Sequence, residues 1–268
     1  MTTFAFVGGG NMAAALIGGL LRSGHPSTAI RVVEPDAGQR ERLQDAFGIA
    51  AMARADATLA TADLVVWAVK PQVFHEAAAP MADYIAGALQ LSVMAGIRCE
   101  AIVRATGSPR VVRAMPNTPA LIGKGVSGLF ARQEVSPAER DRVAAVLAST
   151  GSLVWVEREE ALDAVTALSG SGPAYVFLFA EALVDAGRGM GLTEAQAREL
   201  VLATFAGAAA LAQADPADLS TLRERVTSKG GTTFAALESM RADGVAAAIA
   251  RAAQAAQRRA AELGRSLG

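Results

Sequence analysis

Short apolar runs alternate with helical stretches through the first 157 residues, and beyond that point the runs stop. Residues 3–7, 30–33, 64–69, 90–94, 111–114, 126–130 and 153–156 read as strands. Residues 11–21, 37–47, 73–84, 99–106 and 137–149 read as the helices between them, with a break expected at Pro80. The run Leu-Val-Val-Trp-Ala-Val at 64–69 has no polar position, so it is expected to be buried on both faces. This alternation calls for a parallel sheet covered by helices on both sides. After 157 the stretches 161–187, 193–214, 218–226, 233–241 and 245–263 all carry helical patterning. Two domains are expected: an α/β domain over 1–157 and an all-helical one over 158–268.

Composition narrows the classes of function. Twenty-five Lys and Arg against 26 Asp and Glu leave a net charge of −1, which argues against a protein built to coat nucleic acid or an anionic membrane. Cys99 is the only cysteine, and His25 and His75 have no ligand spacing between them, so no disulfide and no metal site is expected. The N-terminus lacks the basic and apolar regions of a signal peptide. The strongest apolar stretch, 174–184, is interrupted by Glu181 and falls short of the ~20 residues of a membrane span. The expectation is a cytoplasmic protein without nucleic-acid or membrane partners.

Gly8-Gly9-Gly10-Asn11-Met12-Ala13 follows the first strand and opens the first helix, matching G-x-G-x-x-G/A in its required context. Gly8 permits the tight turn, Gly10 lets a pyrophosphate approach the backbone, and Ala13 allows close helix–strand packing. The phosphates would rest on the helix amides. This makes residues 1–157 a Rossmann-type dinucleotide-binding domain; a Gly-rich structural turn is the plainer alternative. Glu34 ends the second strand 24 positions beyond Gly10, near the ~20-residue spacing of an acid that binds the ribose 2′-hydroxyl. A carboxylate there favours NADH and repels the 2′-phosphate of NADPH, and Asp36 adds to it. Arg40 and Arg42 would offset it if they turn back.

Other motifs lie at strand ends or helix starts. Ala68-Val69-Lys70-Pro71-Gln72 follows the third strand, where the ligand crevice of such a sheet lies. Met115-Pro116-Asn117-Thr118-Pro119 is a stiff loop that lines the nicotinamide pocket or serves only as a turn. Ser169-Gly170-Ser171-Gly172-Pro173-Ala174-Tyr175 interrupts a helical pattern, for close helix crossing or a bend at a site. Thr227-Ser228-Lys229-Gly230-Gly231-Thr232-Thr233-Phe234 leads from a Gly-Gly turn into a helix whose amides and hydroxyls would hold a small carboxylate. An ordinary N-cap at Thr232 is the alternative. Glu157, Glu159 and Glu160 with Arg158 read as a solvated turn between domains, and Cys99 as an inert thiol.

In this order, the segments 7–12, 68–71, 115–119, 169–175 and 227–233 resemble pyrroline-5-carboxylate reductase, the last enzyme of proline biosynthesis, over essentially the whole chain. The resemblance implies a Rossmann domain followed by an all-helical dimerisation domain, with dimers commonly assembled into decamers. It implies reduction of the cyclic imine 1-pyrroline-5-carboxylate to L-proline by NADPH or NADH. By position it assigns the cofactor to Val7, Gly8, Gly9, Gly10, Asn11, Met12, Glu34, Ala68, Val69, Lys70, Pro71, Met94, Ala95, Gly96 and Asn117. It assigns the substrate to Ser228, Gly230, Gly231, Thr232 and Thr233, joined by Glu159 and Ser171. Thr233 takes the catalytic place, its hydroxyl at the ring nitrogen. The chain departs from the family at Lys229, where many members have Pro, at Ala55, where many have Asn, and at Glu34, where a small hydroxyl residue is common.

No histidine stands in these motifs, so a hydroxyl, a water or the protonated substrate must supply the imine proton. Two other classes compete. A 3-hydroxyacid dehydrogenase or another imine reductase would use a Lys or Asp acid–base residue, for which only Lys229 lies near a motif. A non-catalytic nucleotide sensor would keep the phosphate loop without needing 228–233. The substrate pocket is expected where the sheet domain meets the dimerised helices.

Overall fold

The computed structural model describes residues 2–267. Their contacts form two compact units. One runs to Ser171 and takes up the chain again from Ala256; the other is Gly172–Ala255. In the first unit the strands β1 (Phe4–Val7), β2 (Ile30–Val33), β3 (Leu64–Trp67), β4 (Leu89–Ser92), β5 (Val111–Met115), β6 (Gly125–Ala131) and β7 (Gly151–Trp155) form one sheet. The strand order is β2-β1-β3-β4-β5-β6-β7. The helices α1 (Asn11–Arg22), α2 (Ala37–Phe47), α3 (Phe74–Ala78), α4 (Ala82–Ile85), α5 (Cys99–Thr106) and α6 (Pro137–Leu147) connect them, and α7 (Ala161–Val165) follows β7.

The sheet is parallel from β2 to β5, but β6 runs antiparallel to β5, and β7 parallel to β6. The parallel order breaks at this edge for a geometric reason. Parallel neighbours need a crossover of about a dozen or more residues, and only residues 116–124 separate β5 from β6.

Side chains of β1 alternate between two cores. Phe4 and Phe6 pack with Leu16, Ile17 and Leu20 of α1, while Ala5 and Val7 pack with Trp67, Phe74 and Ile85 on the other face. Trp67 is fully buried, and its indole N–H donates to Gln90 Oε1 at 2.8 Å. Gln90 Nε2 in turn donates to the Ile85 and Ala88 carbonyls, so this buried polar pair is satisfied. Pro80 falls in a 3₁₀ turn that separates α3 from α4, where the sequence placed a break. The start of α6 is fixed by a capping box between Ser136 and Glu139, with Arg110 paired to the same carboxylate. Burial works to raise the Glu139 pKa, but the Ser136 amide and hydroxyl and Arg110 together hold it below the usual carboxylate value.

The second unit holds α8 (Gly172–Gly189), α9 (Glu194–Ala214), α10 (Leu219–Arg225) and α11 (Thr232–Ala242), and α12 (Val245–Leu267) begins in it. Thr193 and Gln196 cap α9 reciprocally, as the Thr-Glu-Ala-Gln pattern leads one to expect. Large apolar side chains of this unit stand in solvent, Phe177 66% and Met190 77% exposed. Ala161–Gly189 is one helical stretch, long and apolar enough by length and composition alone to cross a membrane. This corrects the expectation that the apolar stretch at 174–184, with Glu181 inside it, falls short of a span: the helix is continuous with the apolar residues before 174.

Candidate active site

The site begins where β1 turns into α1. Gly8 has φ +93°, and a Cβ there would lie 2.7 Å from the Ala68 carbonyl oxygen, so the turn out of β1 requires glycine. A Cβ at Gly9 would strike Leu43 of α2. At Gly10 nothing lies within 4 Å of the same position, which leaves the approach to the helix open. Gly10 is the N-cap of α1, and neither a side-chain cap nor an acidic residue occupies the first turn. The first amides of the helix are therefore free to meet an anion. Ala13 is fully buried against the sheet, as the third motif position requires.

A cavity of about 700 Å³ opens beside this loop, lined by Gly8, Gly10, Glu34, Arg54, Ala68, Val69 and Lys70 among others. Its position at the carboxyl ends of β1, β2 and β3 is the one expected of a dinucleotide groove, and the open space at Gly10 together with the uncapped α1 fits a pyrophosphate. Glu34 does line the groove, but its carboxylate has partners already. Oε2 accepts from the Gly9 amide at 2.7 Å and Oε1 from the Asp36 amide at 2.9 Å. Gln39 Nε2 donates to the Gly9 carbonyl at 2.5 Å. The acid and Gln39 thus grip the middle of the glycine turn from both sides. Arg40 turns back, donating to the Glu34 and Pro35 carbonyls, whereas Arg42 donates to Gln39. Arg54 escaped the sequence reading. The bridge of Met52 to Val33 brings it to the groove, and no motif spacing signals that.

The remaining cofactor candidates divide by what their side chains do. Lys70 is exposed at the groove, with Pro71 opening a helical turn behind it. Val7 and Met94 pack into the core, and Val7 also lines the groove. Ala95 and Gly96 are half-buried, Gly96 at φ +78°. Asn117 is committed within the protein: Nδ2 donates to the Ser169 carbonyl at 3.1 Å and Oδ1 accepts from the Val126 amide at 3.0 Å.

In the second unit Gly230 has φ +74°, and the Gly231 amide donates to the Ser228 carbonyl at 3.0 Å. Gly231, not Thr232, is the N-cap of α11, and no side chain caps the helix. The ordinary side-chain cap is thereby corrected. The amides of Thr232, Thr233 and Phe234 open the helix without intrahelical acceptors. Ser228 is exposed and Thr233 half-buried. Ser171 donates its amide to the Thr166 carbonyl at 2.8 Å and closes a π-helical turn.

Glu159 corrects the picture of a solvated acidic turn. Its Oε1 accepts from Arg113 Nη1 at 2.8 Å and from the Cys99 amide at 2.7 Å, and Arg113 itself is buried. Asp163 pairs with Arg98 beside it at 2.6 Å. Burial, and then the Glu159 carboxylate, push the Cys99 thiol far above its ordinary pKa, which fits an inert cysteine.

Residues 159–263 match the family model described as pyrroline-5-carboxylate reductase dimerisation, and residues 3–96 match that described as NADP oxidoreductase, coenzyme F420-dependent. The chain is 44% identical to a pyrroline-5-carboxylate reductase of Pseudomonas aeruginosa over 98% of its own length and 97% of that protein's. It is 42% identical to that of Haemophilus influenzae over 97% and 96%. Among solved structures it resembles a pyrroline-5-carboxylate reductase from Coxiella burnetii, with a TM-score of 0.90, 34% identity and 98% of each chain covered. It also resembles the Plasmodium falciparum enzyme solved with NADP bound, with a TM-score of 0.86, 26% identity and the same coverage.

The two glycines of the loop have separable roles. Gly8→Ala should cost ~2 kcal/mol or more of stability, because an L-residue is strained at positive φ and its methyl meets Ala68. Gly10→Ala should cost ~1 kcal/mol or less while weakening NADH and NADPH binding tenfold or more, about 1.4 kcal/mol. Denaturant melts and fluorescence titration measure both. Unchanged dinucleotide affinity in Gly10→Ala would place the pyrophosphate elsewhere.

Proposed function

The chain belongs to the pyrroline-5-carboxylate reductase family, and we propose on that premise that it reduces 1-pyrroline-5-carboxylate to L-proline with NAD(P)H. The observation that carries the reading is that α1 and α11 both open on glycine turns with no side chain over their first amides. One start suits the pyrophosphate of a dinucleotide, and the other suits the carboxylate of a small substrate. When bound, NAD(P)H supplies the hydride. The amides of Thr232, Thr233 and Phe234 hold the substrate carboxylate; the Gly231 amide, already taken by Ser228, does not. The Thr233 hydroxyl meets the ring nitrogen and orients the imine, so that its carbon stands at hydride-transfer distance. Thr233 is the catalytic residue of this reading, with the proton reaching the nitrogen on the substrate or from water.

The exposed apolar faces of α8 and α9 are covered by a second copy of the chain, in keeping with the dimerisation model matched over 159–263. Assembly of such dimers into a decamer rests on the family resemblance.

Turnover of the imine by purified protein with either cofactor tests the function, with 3-hydroxy acids as the competing substrates. Thr233→Ala should lower kcat by about tenfold to a hundredfold, the range of a misplaced reactant, with dinucleotide affinity within twofold of wild type. Equal loss of both would remove Thr233 from the substrate. The cofactor preference is a separate expectation. The Glu34 carboxylate, fixed by two amides, accepts from the free hydroxyls of NADH and faces the 2′-phosphate of NADPH with like charge, while Arg40 and Arg54 oppose it. Wild type should use NADH at least as well as NADPH, and Glu34→Ser should shift the ratio toward NADPH. A tenfold wild-type preference for NADPH in kcat/KM, about 1.4 kcal/mol, would contradict this.

A further inference from the structure

Asn117 stands in a loop just beyond β5, at the same sheet edge that carries the groove. The carboxyl ends of β1, β3, β4 and β5 all lie on this edge, since these strands are parallel. Glu34, at the end of β2, marks the adenosine side of the groove, so the nicotinamide end extends in the opposite direction, toward the ends of β4 and β5. Against this end sits the turn Thr166–Gly170, a π-helical insertion closed by the Ser171 amide on the Thr166 carbonyl at 2.8 Å. Such insertions are rare and concentrate at functional sites.

The turn is seated closely. A Cβ at Gly170 would lie 2.8 Å from Met115 Cε, and one at Gly128 would lie 2.6 Å from Val165 Cγ1. The Ser169 hydroxyl folds back on the Val165 carbonyl at 2.9 Å. Pro173, four residues on, has no N–H for the Ser169 carbonyl, and Asn117 Nδ2 supplies a donor at 3.1 Å. The same amide accepts from the Val126 N–H at 3.0 Å. One partner is an acceptor and the other a donor; an amide serves both, whereas an ionised carboxylate of the same shape only accepts.

We propose that Asn117 is a positioning residue for the reduction: its amide clips the turn Thr166–Gly170 to the loop between β5 and β6, and so fixes the wall of the nicotinamide end where the imine ring must lie. It is not a dinucleotide ligand, because both ends of its amide are engaged inside the protein. The proposal rests on the imine-reductase reading of the preceding subsection.

Asn117→Asp keeps the acceptor for Val126 but sets a carboxylate oxygen against the Ser169 carbonyl. Once protonated, that carboxyl donates again and restores the clip. Both partners of the side chain are backbone groups. On the neighbouring segments the charged side chains are Lys124 in the loop, Arg113 on β5 paired with Glu159, and Asp163 on α7 paired with Arg98. β6 and the turn carry no titratable side chain. Working with the variant-to-wild-type ratio at each pH cancels the titration of the substrate.

At pH 8 the Asn117→Asp kcat should be about tenfold below wild type, a loss of ~1.4 kcal/mol, with NADH and NADPH dissociation constants within twofold. Lowering the pH to about 5.5 should raise the variant-to-wild-type ratio several-fold as the carboxyl protonates. Gly170→Ala, which pushes the turn from Met115 without touching Asn117, should also lower kcat and spare cofactor affinity. Dinucleotide affinity weakened tenfold in Asn117→Asp would make Asn117 a cofactor ligand and overturn the proposal. Wild-type kcat in both variants, with only the melting temperature lowered, would reduce the clip to fold maintenance and overturn it equally. A wild type that does not turn over the imine would overturn the underlying reading and the proposal with it.

Discussion

At their carboxyl ends β1 and β3 run so close that the residue leaving β1 has no room for a side chain beneath the Ala68 carbonyl. Much of the first unit is arranged around that approach. Gly8 turns the chain out of the sheet at positive φ, Gly9 tucks under Leu43, and Gly10 delivers α1 with its first amides uncovered. Glu34 and Gln39 then hold the turn through the Gly9 amide and carbonyl. Glu34 is thus a brace of the glycine turn. On the proposed reading the same carboxylate faces the ribose, so a substitution there would act on both cofactor preference and loop geometry.

The same physical device recurs at the start of α11. A glycine at positive φ turns the chain, a second glycine caps the helix without a side chain, and the opening amides carry no side-chain partner. What differs is the company. Thr232 and Thr233 supply hydroxyls at α11, which suits orientation of a polar ring, while Asn11 and Met12 at α1 suit a backbone-bound phosphate. The first turns of α1 and α11 themselves carry no titratable side chain, in keeping with the orienting role proposed for Thr232 and Thr233.

Much of the first unit was legible from apolar periodicity, because strands buried on both faces read as unbroken runs and glycine turns mark their ends. The bounds of α2 and α5, the break at Pro80 and the cap at Thr193 follow from local chemistry alone. What escaped was set by distant partners. Glu159 looks solvated in a run of acids, and only Arg113, 46 residues earlier, makes it an ion-pair partner. Met94 follows a strand, where alternation no longer tells which way a side chain points, and it entered the core. Asn117 stands in a loop marked in the sequence by its two prolines, but its partners at 126 and 169 come from pairings the sequence does not spell out. The reversal of β6 follows from the nine residues between β5 and β6, too few for a parallel crossover, which the alternating pattern alone does not reveal.

The groove beside Gly8 and Gly10 is proposed to hold the cofactor whose hydride goes to the carbon of a cyclic imine. The most direct measurement follows the label. Purified protein is given 1-pyrroline-5-carboxylate with NADH or NADPH deuterated at both C4 positions, and the product is read by mass spectrometry and NMR. One deuterium is expected in proline, on the ring carbon formerly double-bonded to nitrogen. Proline without deuterium, or cofactor oxidised with no labelled proline formed, would contradict it.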